Sequence, residues 1–206
     1  MKIRCLLPLF ICYFLGFSQK RVEKRIVDTS ISTIVIASES CFQVMLSTVA
    51  SDEISVEAKM DGEYSADLEV ILVERGNTLK VSAGFSPEFK NPNDKLSAHK
   101  VVSISLNIQV PEYKNISLVG NSTRVIADGN YRKLTITLAD GSCELRNVGE
   151  VVKVKTYSGA IVIYEKAAEI VAESKYGMLS DNPIPFGPHK YDLHTVMGKI
   201  TLHKTE

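Results

Sequence analysis

The chain contains no tryptophan and has no excess of either charge, with Lys and Arg totalling 24 and Asp and Glu totalling 24. A balanced surface projects no field strong enough to gather a polyanion, which argues against nucleic acid as a partner. Long charge runs and low-complexity tracts are also missing. There is no G-x-S-x-G, no H-E-x-x-H and no glycine-rich phosphate loop, so the common hydrolase, metalloprotease and nucleotide-binding signatures are excluded. Cysteine is scarce, with 4 in 206 residues, and none lies in a CxxC or Cys/His cluster. No metal site and no cofactor are expected.

The longest apolar run, Leu6 to Phe17, is 12 residues. Crossing a bilayer as a helix takes roughly 20. Lys2 and Arg4 precede the run, Gly16 and Ser18 supply small residues two apart, and Gln19, Lys20 and Arg21 turn the chain polar. This is the pattern of a secretory signal peptide over 1–18. The mature chain is then expected to be exported, to the periplasm, the cell surface or the medium, with no transmembrane segment after cleavage. Export removes Cys5 and Cys12 and leaves Cys41 and Cys143. An oxidising compartment would let them pair, but Cys143 falls in an inward-facing column described next. Two free buried thiols are expected rather than a disulfide.

What the chain does have is a repeat. Ile116, Leu134, Val152 and Ile170 are spaced by 18 residues, as are Leu118, Ile136, Val154 and Ala172. Gly120, Leu138, Thr156 and Ser174 keep the same spacing. A second strand carries Val125, Cys143, Ile161 and Leu179, then Ala127, Leu145, Ile163 and Asp181. Between the two strands lies a turn column of Thr123, Gly141, Gly159 and Gly177, where glycine permits the positive φ of a tight corner. Alternation with period two buries one face of each strand. A lone two-strand unit cannot cover that face, whereas stacked units can. The expected fold is therefore all-β, a single-stranded and right-handed β-helix or β-solenoid with two-strand rungs of 18 residues over 111–206. Residues 19–110 are expected to form a β-rich cap continuous with it. Strands there are expected at Ile34–Ile36, Ile54–Ala58, Leu68–Val73, Leu79–Val81 and Val102–Val110, with an exposed loop at Lys90–Lys95. The register slips once, by three residues, in Asn182–Lys190, where Pro183, Pro185, Gly187 and Pro188 predict a loop bulging from the stack. Tyr191, Leu193 and Thr195, then Ile200 and Leu202, resume the columns beyond it.

The strand ending at Val110-Pro111, followed by NISLVG, LTITLADGSCELRNV, VKVKTYSGAIVI and HTVMGKITL, resembles the bacterial β-strand-repeat proteins of unknown function grouped as adhesin-like, related to the head-GIN or auto-transporter adhesin domain. Ser158-Gly159-Ala160-Ile161 matches the recurrent serine–glycine–acid–isoleucine turn of that group except at the acid. Asp140-Gly141-Ser142-Cys143, Tyr176-Gly177-Met178-Leu179 and Met197-Gly198-Lys199-Ile200 are looser copies. The resemblance implies a single-stranded, right-handed β-helix. Its motifs are structural and carry no catalytic residues.

Three functions remain open at this level. The first is a non-enzymatic secreted or cell-envelope binding module whose partner would be a surface polysaccharide or another envelope protein. The second is a carbohydrate-active enzyme, which would need two acids roughly 5–9.5 Å apart. In the repeat register Asp128 stacks under Arg146 and Tyr164, Glu173 follows Lys155, and no acid meets an acid. The third is a structural spacer. Tyr157 and Tyr176 fall near one corner, and Phe186 and Tyr191 flank the loop. These four aromatics are the candidate ligand-stacking residues.

Overall fold

The computed structural model describes residues 19–62, 64–89 and 102–206. The signal sequence expected at 1–18 and the loop expected at Lys90–Lys95 lie outside the described residues. Among the described residues fourteen strands form a single mixed sheet. In chain order they are β1 (Lys20–Val27), β2 (Thr33–Ala37), β3 (Gln43–Val49), β4 (Glu53–Gly62), β5 (Leu68–Arg75), β6 (Thr78–Phe85), β7 (Val102–Pro111), β8 (Asn115–Gly120), β9 (Arg124–Leu138), β10 (Cys143–Thr156), β11 (Ile161–Glu165), β12 (Ala168–Ser174), β13 (His189–Thr195) and β14 (Ile200–Lys204). The five strands expected before residue 111 appear as β2, β4, β5, β6 and β7.

The alternation becomes burial directly. Along β4 the side chains of Ile54, Val56, Ala58 and Met60 are buried while their neighbours are not, and along β7 Ile104, Leu106 and Ile108 do the same before Val110 and Pro111 are both buried at its end. The 18-residue register also becomes pairing. Leu134 pairs with Val152, and Val125 with Cys143, which in turn pairs with Ile161. All of these residues belong to one apolar core, and each large aliphatic side chain so buried contributes about 1.5–3 kcal/mol.

The sheet is nevertheless not the β-helix that the repeat suggests. Its main path runs β1-β4-β7-β3-β9-β8-β2-β6-β5, far from chain order. The β1–β4, β4–β7 and β5–β6 pairs are antiparallel. At the other end β13 pairs with both β10 and β12, so the last two-strand unit is inserted ahead of the one that precedes it in sequence. The result is a mixed sheet, folded over on itself and nearly closed like a barrel. The long strands β9 and β10 serve both halves. Arg124–Asp128 pairs with β3, and Lys133–Leu138 pairs with β8. The bend between those parts falls at Gly129, whose φ of +108° is accessible to glycine and whose missing Cβ makes room for Thr48. Pairing of β10 with β9 shifts register beside it, between Arg146 and Val148 and again between Gly149 and Val151.

The physical reason for the correction is that an 18-residue spacing fixes only which side chains share a row. It does not say which strand lies next door. Nor does it say how the ends of the sheet are handled, and open edges invite aggregation. Here the edge strands β1 and β5 are bridged by lysines: Lys20 Nζ donates to the carbonyls of Ala66 and Leu68, and Lys24 Nζ to that of Val70, each at 2.7 Å.

Candidate functional site

The turns that follow β10, β13 and β12 stack on one another, and their shape comes from the glycine column. Gly141, Gly159 and Gly177 do not carry the positive φ expected of them. Their role is close approach. The place of a Cβ on Gly159 is occupied by the carbonyl oxygen of Gly141, that on Gly198 by Gly159, and that on Gly177 by Gly198. Any side chain would hold neighbouring turns apart. Buried and half-buried hydroxyls satisfy the carbonyls at the inside of the same turns. Thr156 Oγ1 lies 2.8 Å from the Gly159 carbonyl and 2.8 Å from Thr195 Oγ1, and Ser174 Oγ donates to the Gly198 carbonyl at 2.8 Å.

This packing holds three apolar side chains in a row outside. The Met197 amide donates to the Tyr157 carbonyl, and the Tyr176 amide to the Val196 carbonyl, both at 2.8 Å. Tyr157, Met197 and Tyr176 therefore sit on successive turns, and they are 56%, 56% and 72% exposed. Neighbouring strands and their turns lie about 4.8 Å apart. Met178 and Leu179 extend the exposed surface beyond Tyr176. The Lys175 ammonium lies 5.1 Å from the centre of the Tyr176 ring.

The four aromatic candidates thus separate. Tyr157 and Tyr176 share a corner, with Met197 between them because β13 intervenes between β10 and β12. Phe186 is strongly exposed, but its loop meets the opposite end of β12, where the Ala168 amide donates to the Pro185 carbonyl at 2.9 Å. The run from Ala168 to Tyr176 spans roughly 20 Å or more at strand rise. The loop also inserts Ile184 into the core. Tyr191 is not a surface residue. It is buried in the first-strand column, with its hydroxyl 2.5 Å from the Val148 carbonyl and 2.7 Å from Glu165 Oε2. Burial first, and then the Glu165 carboxyl, push its phenol well above the usual range. Cys41 and Cys143 are free and buried. Burial pushes the Cys41 thiol up to about 12 and raises that of Cys143 as well.

Beside the aromatic row, on the outer face of β10, β13 and β12, lies a shallow depression of about 330 Å³. Lys155, His194 and Glu173 cross its floor in one register, and Lys175 and Val196 border it. His194 stands between two carboxylates, with Nε2 2.6 Å from Asp192 and Nδ1 3.3 Å from Glu173. Burial works to raise Asp192, but hydrogen bonds from His194 and Lys153 outweigh it and hold the carboxyl below its ordinary value. Sequence reasoning missed Met197, Lys155 and Lys175. Met197 is next to Gly198, Lys175 is two residues from Gly177 and Lys155 is next to Thr156 of the first-strand columns, but only the pairing order brings them to one corner. Among the described residues no group of three His, Cys, Asp or Glu side chains is placed to hold a metal ion. No helix among them is long and apolar enough to cross a membrane.

No protein-family model and no curated protein matches the chain. Solved structures do. A "putative cell adhesion protein" from Clostridium sporogenes is similar over 91% of this chain and 100% of that one, at 16% identity and a TM-score of 0.61. That likeness shows a shared fold. A "putative adhesin" from Bacteroides fragilis matches 90% of this chain and 98% of its own at 12% identity, with a TM-score of 0.41. A "putative lipid binding protein" from Parabacteroides distasonis matches 90% and 97% at 12% identity, with a TM-score of 0.29. The strand repeat thus has a counterpart of the same fold in the Clostridium sporogenes structure.

Proposed function

We propose that this chain is an exported, non-enzymatic, adhesin-like binding module that works at the cell envelope. It engages a surface polysaccharide through the row of Tyr157, Met197 and Tyr176. The observation that carries this reading is the row itself. Three large apolar side chains stand half or more exposed on turns whose backbones are locked together. Rigid aromatic faces presented this way suit the apolar faces of sugar rings. The shared fold with a protein named for cell adhesion supports the setting. The non-enzymatic part rests on acids of the outer surface that are tied up in pairs within and across strands. Glu144 lies 2.5 Å from Arg146 and 3.6 Å from Arg124, while Asp192 lies against Lys153 and His194. Such pairs are what sheet stability selects.

A glycan array probed with the chain beginning at Gln19 and with its Tyr157→Ala/Tyr176→Ala variant tests the reading. Glycan signals that the double variant loses are the expected result. Signals of equal strength from both proteins would overturn it.

A further inference from the structure

The proposed site borders the depression lined by Lys155, Glu173, Lys175 and His194, and the charges there are not evenly committed. Both acids lie against His194, Asp192 at 2.6 Å and Glu173 at 3.3 Å. The Asp192 carboxylate also takes Lys153 at 3.4 Å. The two cations nearest the aromatic row are placed differently. Among the described residues Lys155 makes no ion pair, although it stands in register with His194. Lys175 has its ammonium over the Tyr176 ring rather than on a carboxylate. Lys155 lies two residues before Tyr157, and Lys175 one residue before Tyr176. Each is therefore carried by the strand or turn that presents the tyrosine. Because β13 separates β10 from β12, and Lys175 lies two residues beyond Glu173 in the row of Lys155 and His194, the two lysine backbones flank the depression about 12 Å apart.

We infer that this depression selects an acidic glycan, one whose sugars bear carboxylates, over its neutral counterpart. The inference rests on the reading of the tyrosine row as a sugar-binding surface. A pyranose ring lying on Tyr157 or Tyr176 would direct a ring carboxylate toward the depression. There Lys155 and Lys175 offer uncommitted charge, and of the two nearby acids Asp192 is paired with Lys153 while Glu173 turns largely to solvent. Lysine suits the task because its ammonium is a compact charge on a long, mobile stem that can follow a polymer.

The test uses polygalacturonate and its fully methyl-esterified form, which share a backbone and differ in charge. Binding of each is measured by calorimetry for the unaltered chain, for Lys155→Gln/Lys175→Gln and for Tyr157→Ala/Tyr176→Ala. The expected result is at least tenfold tighter binding of the acid than of the ester by the unaltered chain. The lysine variant should lose that preference while still binding the ester, and the preference should shrink in 0.5 M salt, where screening acts within about 4–5 Å. Equal binding of acid and ester by the unaltered chain overturns the inference, as does a lysine variant with its preference intact. So does the absence of binding to either polymer. In all of these cases the reading of the tyrosine row stands if the array signals depend on Tyr157 and Tyr176. It falls separately if they do not.

Discussion

The carbonyl oxygen of Gly141 stands where a Cβ on Gly159 would have to be. The two turns touch backbone to backbone, so the expected cost of Gly159→Ala is about 3 kcal/mol, the upper range for overpacking a tight site. Gly76→Ala is the contrasting change. Nothing lies near its Cβ position, but its φ is +59°, and the expected cost is about 1–2 kcal/mol for the left-handed conformation alone. Urea unfolding of both variants gives the comparison. If Gly159→Ala is the milder change, the close-approach account of the glycine column is wrong.

Tyr191→Phe removes one hydroxyl from the core and leaves Glu165, itself almost fully buried, without its shortest partner. The remaining contacts of that carboxylate are the Lys166 amide at 2.9 Å and His189 at 3.5 Å. An expected loss of about 1–3 kcal/mol follows from taking the shortest hydrogen bond away from a buried acceptor. A variant as stable as the parent in thermal denaturation would mean that the Tyr191–Glu165 contact contributes little.

Cys41 and Cys143 make an alkaline prediction whose sign is fixed by their burial. Both thiols are raised in the folded chain, Cys41 to about 12, against roughly 8.5 in an unfolded one. Their neutral forms favour the fold fully below the unfolded value. As pH rises from roughly 8.5 toward 12, the unfolded state ionises first and stability falls, by up to about 1.4 kcal/mol per pH unit for each thiol. The native thiols should resist iodoacetamide at pH 8 and react only on unfolding. Rapid labelling of the native chain would contradict this.

Ile161 is fully buried between Cys143 and Ile200. Ile161→Asp places an unpaired charge there, and the expected cost is more than about 4 kcal/mol, enough to prevent folding. Normal circular dichroism and an unchanged melting temperature would show the column to be misassigned.

These residues also show how far the sequence could be read. Strand positions and inward columns follow from period-two alternation, which depends on neighbours in the chain. That is why Cys143, Ile161 and Leu193 were legible. Tyr191 was legible in the same way, since its alternation with Leu193 and Thr195 puts it inside, and that conflicts with any surface role. What the sequence does not encode locally is strand order. The loop Asn182–Lys190 announces itself through its prolines, but no residue in it states that β13 will enter between β10 and β12. The antiparallel pairs and the lysine bridges from β1 to β5 are likewise products of tertiary packing. The aromatic row depends on that order, because only the insertion of β13 puts Met197 between Tyr157 and Tyr176.

Strand order can be measured directly with paired cysteines on the outer face. Lys153 is paired with Asp192, and Asp192 with Val171, so residues 153 and 171 lie two strand spacings apart, about 10 Å. A disulfide needs Cα atoms within about 4.4–6.8 Å. Under mild oxidation Lys153→Cys/Asp192→Cys should cross-link quantitatively and Lys153→Cys/Val171→Cys should not. Units stacked in chain order would give the reverse, with ready cross-linking of 153 to 171 and none of 153 to 192. That outcome would contradict both the sheet and the aromatic row built on it.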